Sequence, residues 1–345
     1  MLRIGLKGSM VAAVAAAGLL AACSSGGSSP TTSATSSSGA APTTASSSSA
    51  PEPSKIKIGV SFYTERIPIY ATMRQGVEAA AAAAGVEIIY ADANSEVETQ
   101  TNQIANMVTN GVAAIICSPV DATAMVPAYE AARAAGVKMI SAANKVDDKY
   151  EDSFVAPDLV DYAKQTMDRM IEGMGGKGKI MLITGPPQIA FVQLQKLGWE
   201  ASLAEHPDIE VVAEGVVEDL TTAKAVDVAT SLLTANPDVT GIMSSTDNIG
   251  VGVVQALESA GIDTASVFTA GWDAQANAVE LVKEGKYTLT LSFLAYKWGE
   301  IAFATALEAA KGNPIEKYVP TPGLFVDAAN AATLTQDQID GKVPV

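Results

Sequence analysis

The stretch Ser266-Val-Phe-Thr-Ala-Gly-Trp-Asp273, followed by the helical pattern Ala274 to Glu284, decides the fold. The apolar run ending at Ala270 reads as a short buried strand, and Gly271-Trp272-Asp273 reads as its C-terminal tip. An acid at the tip of a parallel strand, just before a helix, stands where open α/β sheets bind small ligands.

Working outward, the same strand-then-helix unit recurs along the chain. Ile56 to Ser61, Val86 to Ala91, Val112 to Ser118 and Val137 to Ala142 read as strands, with helices over Ala71–Ala84, Glu96–Asn110 and Ala122–Ala135 between them. A second series follows. Its strands are Lys179–Thr184, Ile209–Val217 and Val239–Ser244, and its helices are Val160–Glu172, Gln193–Glu205, Ala223–Ala235 and Ile249–Ala260. Strict alternation predicts parallel sheets with helices on both faces. The punctuation repeats as well. Ala-Ala-Gly-Val stands at 83–86 and 134–137, and Cys117-Ser-Pro-Val-Asp121 has its counterpart in Ser244-Ser-Thr-Asp247. Two similar Rossmann-like halves are therefore expected. Tyr287–Ser292 (strand), Tyr296–Lys311 (helix) and Thr321–Val326 (extended) are too little for a third domain and must complete the two lobes.

Before Lys55 the texture is different. Residues 1–22 have Arg3 and Lys7, then the apolar Met10 to Leu20, the pattern of a secretory signal. The segment ends in Leu20-Ala21-Ala22-Cys23, which resembles a bacterial lipobox and predicts a diacylglycerol on Cys23. Residues 23–54 are almost all Ser, Thr, Ala, Gly and Pro, a composition that builds no core and reads as a disordered tether. An extracytoplasmic protein anchored to the cell membrane through Cys23 is expected.

Composition narrows the function. Over 345 residues the net charge is −16, and losing residues 1–22, with two cations and no acid, takes it to −18. Nucleic acid needs a basic footprint and is excluded as a partner. The other cysteine, Cys117, lies in the apolar run Val112–Cys117 and reads as a core thiol, so no internal disulfide is expected. The single His206 sits in a turn-like Glu205-His206-Pro207-Asp208. Gly173 to Lys179 has P-loop glycine spacing, but lacks the final Ser or Thr and precedes a strand where a P-loop follows one. Asp92-Ala-Asn94-Ser-Glu96 opens like a calcium loop without its sixth-position glycine. With no nucleophile–base pair and no metal-ligand cluster, the chain reads as a binder and not an enzyme, with no cofactor and no metal.

From Lys55 to about Val326 the chain resembles the type I periplasmic substrate-binding proteins of the ribose/galactose-type branch, the receptors of ABC sugar importers. Lys55 to Val60, Pro68-Ile-Tyr70, Met73 to Gly76, Asn110 to Pro119, Ser245 to Gly252 and Ala270 to Asp273 carry the resemblance by their order and spacing. It implies two lobes joined by three hinge strands, crossing near Val155–Asp158, Ser292–Leu294 and Thr321–Gly323. Lobe 1 would then be 55–156 plus 295–320, and lobe 2 would be 157–292 plus 321–345. It also implies a monomeric receptor that closes on a small carbohydrate, a monosaccharide or polyol, and delivers it to a membrane permease. A ligand sensor for a membrane kinase or chemoreceptor is the alternative.

Site residues follow from the same resemblance. Asp273 matches the family's ligand-binding Asp. Thr246 stands where the family has a ligand-contacting Asn, with Asp247 next to it. Tyr70 keeps the second aromatic of the family's first loop, where Tyr63, Glu65 and Arg66 are the polar replacements for a lost amide. Asn144 lies at the family's Asp-Arg pair, Gln193 where an Arg comes from lobe two, and Phe293 where ribose binders have Gln. The ribose pattern is largely lost at these positions, which points away from ribose. A sugar site needs carboxylates and amides for paired hydroxyls and aromatics for the apolar ring face.

Overall fold

The computed structural model describes residues 56–345; the signal segment, Cys23 and the tether lie outside the described residues. The first series runs β1 (Lys57–Phe62), α1 (Pro68–Ala84), β2 (Glu87–Asp92), α2 (Val97–Thr109), β3 (Ala114–Cys117), α3 (Val126–Ala134), β4 (Lys138–Ala142) and β5 (Ser153–Ala156). The second runs α4 (Leu159–Gly173), β6 (Gly178–Thr184), α5 (Ala190–Glu205), β7 (Ile209–Val216), α6 (Thr222–Ala235), β8 (Gly241–Ser244), α7 (Asp247–Ser259), β9 (Phe268–Trp272), α8 (Ala276–Lys283) and β10 (Leu289–Ser292). The chain closes with α9 (Ala295–Ala310), β11 (Tyr318–Pro320), β12 (Leu324–Asp327) and α10 (Gln336–Asp340).

These strands form two six-stranded sheets, ordered β11-β5-β4-β3-β1-β2 and β12-β10-β9-β8-β6-β7. The two orders superpose strand for strand, so the duplicated sequence pattern becomes a duplicated architecture. Every pair is parallel except β10 with β12. β3 and β8 are buried along their whole length, as central strands covered on both faces must be, while the edge strand β7 is largely open to solvent. In each sheet the strand order reverses beside the first strand of its series, which opens a crevice at the strand C-termini.

The chain passes between the sheets three times: from β5 into α4, from β10 into α9, and from β11 into β12. α9 belongs with the first sheet. Its Trp298 indole N–H donates to the Val155 carbonyl at 2.9 Å, and its backbone lies against α1. One apolar core continues across the junction, from Ile58, Val60 and Phe62 through Trp298 and Phe293 to Trp272, Leu291 and Trp199. Trp272 meets Phe293 edge-on, with centroids 5.3 Å apart, and its indole N–H reaches Thr166 of α4.

Local chemistry sets the ends of the elements. Gly85 ends α1 at φ 66°, where its amide bonds back to Ala81 and Ala82. The Asp158 carboxylate caps α4, and Thr335 with Gln338 makes a capping box on α10. The structure corrects the sequence reading in three places. β5 and α10 are too short to show a period. The expected extended piece Thr321–Val326 divides into a crossing and β12. Finally, α8 starts at Ala276 and not Ala274, because Asp273 and Ala274 both have left-handed backbone, at φ 107° and 46°.

Candidate functional site

In the first sheet, the strand tips gather a polar and aromatic cluster. Tyr70, in the first turn of α1, is buried, and Tyr63 stacks on it with centroids 6.1 Å apart and planes 27° from parallel. The Tyr70 hydroxyl accepts from Ser118 Oγ at 3.2 Å, beyond β3, and from Asn144 Nδ2 at 3.4 Å, beyond β4. Burial raises the Tyr70 phenol above its ordinary value, so it stays neutral and able to donate. Tyr63 after β1, Tyr70 at the start of α1 and Asn144 after β4 are therefore brought together at one end of the sheet. Ser118 joins them; its only sequence signal is its place directly after an apolar run.

Glu65 and Arg66 are not part of this cluster. The Glu65 carboxylate pairs with Arg74 at 2.9 Å, and that guanidinium lies 4.3 Å above the Tyr90 ring. Arg66 is exposed.

In the second sheet, Asp273 at the tip of β9 opens on a cavity of about 810 Å³. The cavity lies between the sheets, with Ile67, Ile69 and Thr72 on one side, Asp273 and Asn277 on the other, and Phe293 at the β10–α9 crossing. Asp273 is accessible to solvent through the cavity, yet protein surrounds it, and this desolvation pushes its carboxyl up to about 7; a hydrogen bond with Gln275 opposes the shift. The exposure of its side chain works against that desolvation. Phe293 offers the cavity an apolar face.

The remaining expected residues are placed differently. Asp247 is fully buried and does not line the cavity. Its carboxylate accepts from Thr290 Oγ1 at 2.8 and 2.9 Å, from the Gln275 amide at 2.9 Å and from the Tyr287 hydroxyl at 3.4 Å. Thr246 occupies the N-cap position of α7 without a capping bond, and its hydroxyl is buried with no partner. Gln193 is exposed and donates to the Pro187 carbonyl at 2.9 Å. Of the expected residues, only Asp273 and Phe293 line this cavity. Gln336 and Asp340 of α10 line it too, and nothing in the sequence marked that tail as part of a site. Among the described residues there is no cluster of three or more metal-ligating side chains, and no helix is long and apolar enough to cross a membrane.

Residues 58–314 match the family model described as "Periplasmic binding protein domain". The ribose import binding protein of Bacillus subtilis is 24% identical over 265 residues, 77% of this chain and 85% of that protein. The xylitol-binding protein of Mycolicibacterium smegmatis is 26% identical over 284 residues, 82% of this chain and 78% of that protein. Among solved structures, an ABC transporter periplasmic solute-binding protein from Actinobacillus succinogenes with bound D-allose is 29% identical. Its TM-score is 0.73, over 81% of this chain and 100% of that one. This chain belongs to the periplasmic binding protein family, in its type I, ribose-type branch.

Proposed function

We propose that the protein is an extracytoplasmic solute-binding receptor of an ABC importer that closes its two lobes on a small carbohydrate, a monosaccharide or a polyol. The observation that carries the reading is the cavity between the sheets, walled by the Asp273 carboxylate and the Phe293 ring. A carboxylate accepts two hydroxyls at once, and an aromatic face covers the C–H side of a sugar or polyol. The relatives named for xylitol and D-allose binding support this ligand class.

Ligand held from both lobes favours the closed arrangement over the open one by its extra contacts in the former. The lobes we assign are residues 55–156 with 295–320, and residues 157–292 with 321–345. Tyr63, Tyr70 and Asn144 then form the wall that closure brings to the ligand. The loss of the family's ribose pattern at Asn144, Gln193, Thr246 and Phe293 turns selectivity away from ribose. A lipid on Cys23 holds the receptor at the membrane as a monomer beside its permease. The reading assigns the protein no chemical step.

A thermal-shift screen of the purified protein against pentoses, hexoses, deoxy sugars and linear and cyclic polyols tests this. At least one neutral polyhydroxy compound raises the melting temperature. A panel with no responder contradicts the carbohydrate class.

A further inference from the structure

Asp247, Thr290 and Tyr287 form a polar cluster among inner strands of the second sheet, and none of them lines the cavity. Between them and the cavity stands the turn Asp273–Gln275, which does line it. Asp273 and Ala274 are consecutive non-glycine residues at φ 107° and 46°, a backbone that persists only where its surroundings over-determine it. Three successive amides of this turn are tied down. The Asp273 N–H donates to the Leu291 carbonyl at 2.8 Å, the Ala274 N–H to Thr290 Oγ1 at 3.1 Å, and the Gln275 N–H to Asp247 Oδ2 at 2.9 Å. The Thr290 hydroxyl donates in turn to the Asp247 carboxylate, so it is both acceptor and donor in one chain of bonds.

Tyr287 closes the arrangement by donating to Asp247 Oδ1. Two glycines make room for that hydroxyl. A Cβ on Gly271 of β9 would stand 2.2 Å from it, and one on Gly250 of α7 would stand 2.1 Å away. Asp247 heads α7, where an acid ordinarily serves the helix's own amides. Here its recorded bonds run to β10, to Tyr287 and to the turn, and none to an α7 amide.

We propose that Asp247, with Thr290 and Tyr287, is a positioning residue: a buried bracket that fixes the strained Asp273–Ala274 turn so that the Asp273 carboxylate meets the ligand preorganised. The proposal rests on the reading that Asp273 contacts ligand. Preorganisation of this kind lowers the ordering cost of binding.

Hydrogen-exchange mass spectrometry on the whole protein, without ligand, is the test. In Asp247→Asn and in Thr290→Val, exchange of the 273–275 amides accelerates about tenfold or more, and α7 amides 250–259 keep their protection. Thr290→Ser, which keeps the hydroxyl, restores protection to the turn. Xylitol and D-allose then serve as calorimetric probes, and whichever binds the wild type binds Thr290→Val at least about fivefold more weakly, with Thr290→Ser recovering most of the loss. If α7 loses its protection while the turn keeps it, Asp247 is a helix cap and the proposal is overturned. Unchanged exchange in Thr290→Val overturns it equally. Failure of both probes to bind the wild type counts against the ligand reading, and the exchange result still decides the bracket.

Discussion

Asp273 is the residue on which the proposed ligand chemistry turns. Replacing it with Ala removes a charge-assisted acceptor worth about 2–3 kcal/mol, or roughly thirty- to a hundred-and-fiftyfold in Kd. Its side chain opens on the cavity and not on the core, so the melting temperature of Asp273→Ala stays within a few degrees of the wild type. Calorimetry and circular dichroism read the two effects separately, and a large loss of stability with ligand binding retained would reverse the assignment. Glu151 is a different kind of acid. It is buried, its Oε2 has no partner, and burial pushes its carboxyl up to about 7 from an ordinary 4.5, with the bond to Ser141 opposing. A raised carboxyl favours the folded state fully only below its unfolded value, and that contribution is lost as pH rises from about 4.5 through 7. Glu151→Gln is therefore more stable than the wild type at pH 8, by up to about 2–3 kcal/mol, and the gap closes below about pH 5. Melts across that range check it, and a pH-independent difference would contradict it. Asp273 was legible because an apolar run and a helix pattern bracket it. What the Asp247 carboxylate binds was not, since periodicity places a residue on an element but says nothing of partners such as Thr290, 43 positions away.

The helix pairs show how each lobe is held. α1 and α9 cross with their backbones touching: a Cβ on Gly76 would lie 2.0 Å from the Tyr296 carbonyl oxygen, and one on Gly299 would lie 2.0 Å from that of Met73. The second lobe repeats the device, with Gly198 of α5 against the Val160 carbonyl of α4. A backbone oxygen cannot step aside like a flexible side chain, so Gly76→Ala pushes the helices apart. The expected cost is at least about 2 kcal/mol, or some 6 °C in melting temperature. A thermal melt equal to the wild type would show that the contact is slack. Most elements were legible, because buried parallel strands and glycine-stopped helices leave strong patterns in sequence. The pairing of α1 with α9 was not, since the two lie more than two hundred residues apart and only the returning chain brings them together.

At the scale of the molecule, two duplicated sheets are joined by three passages of the chain, and the proposed closure is a rotation about that junction. Val155, Trp298, Phe293 and Trp272 belong to one apolar core across that junction, so under the proposed closure the short crossings at 157–158, 293–294 and 321–323 would carry the rotation. Small-angle X-ray scattering of the protein with and without bound ligand is expected to show a smaller radius of gyration in the bound form. An unchanged radius would mean that ligand binds without closure. The repeated halves were visible in the sequence, but the crossings followed only from the family resemblance, because short extended pieces such as β5 and β11 carry no period of their own. A receptor of this kind must bind a small polyhydroxy compound. The direct measurement is isothermal titration calorimetry of the purified protein against a panel of monosaccharides and polyols that includes xylitol, D-allose and D-ribose. It is expected to give one-to-one binding of at least one member with a Kd in the micromolar range, about −8 kcal/mol, and weaker binding of D-ribose. No measurable heat with any member, or binding only of a ligand without hydroxyls, would contradict it.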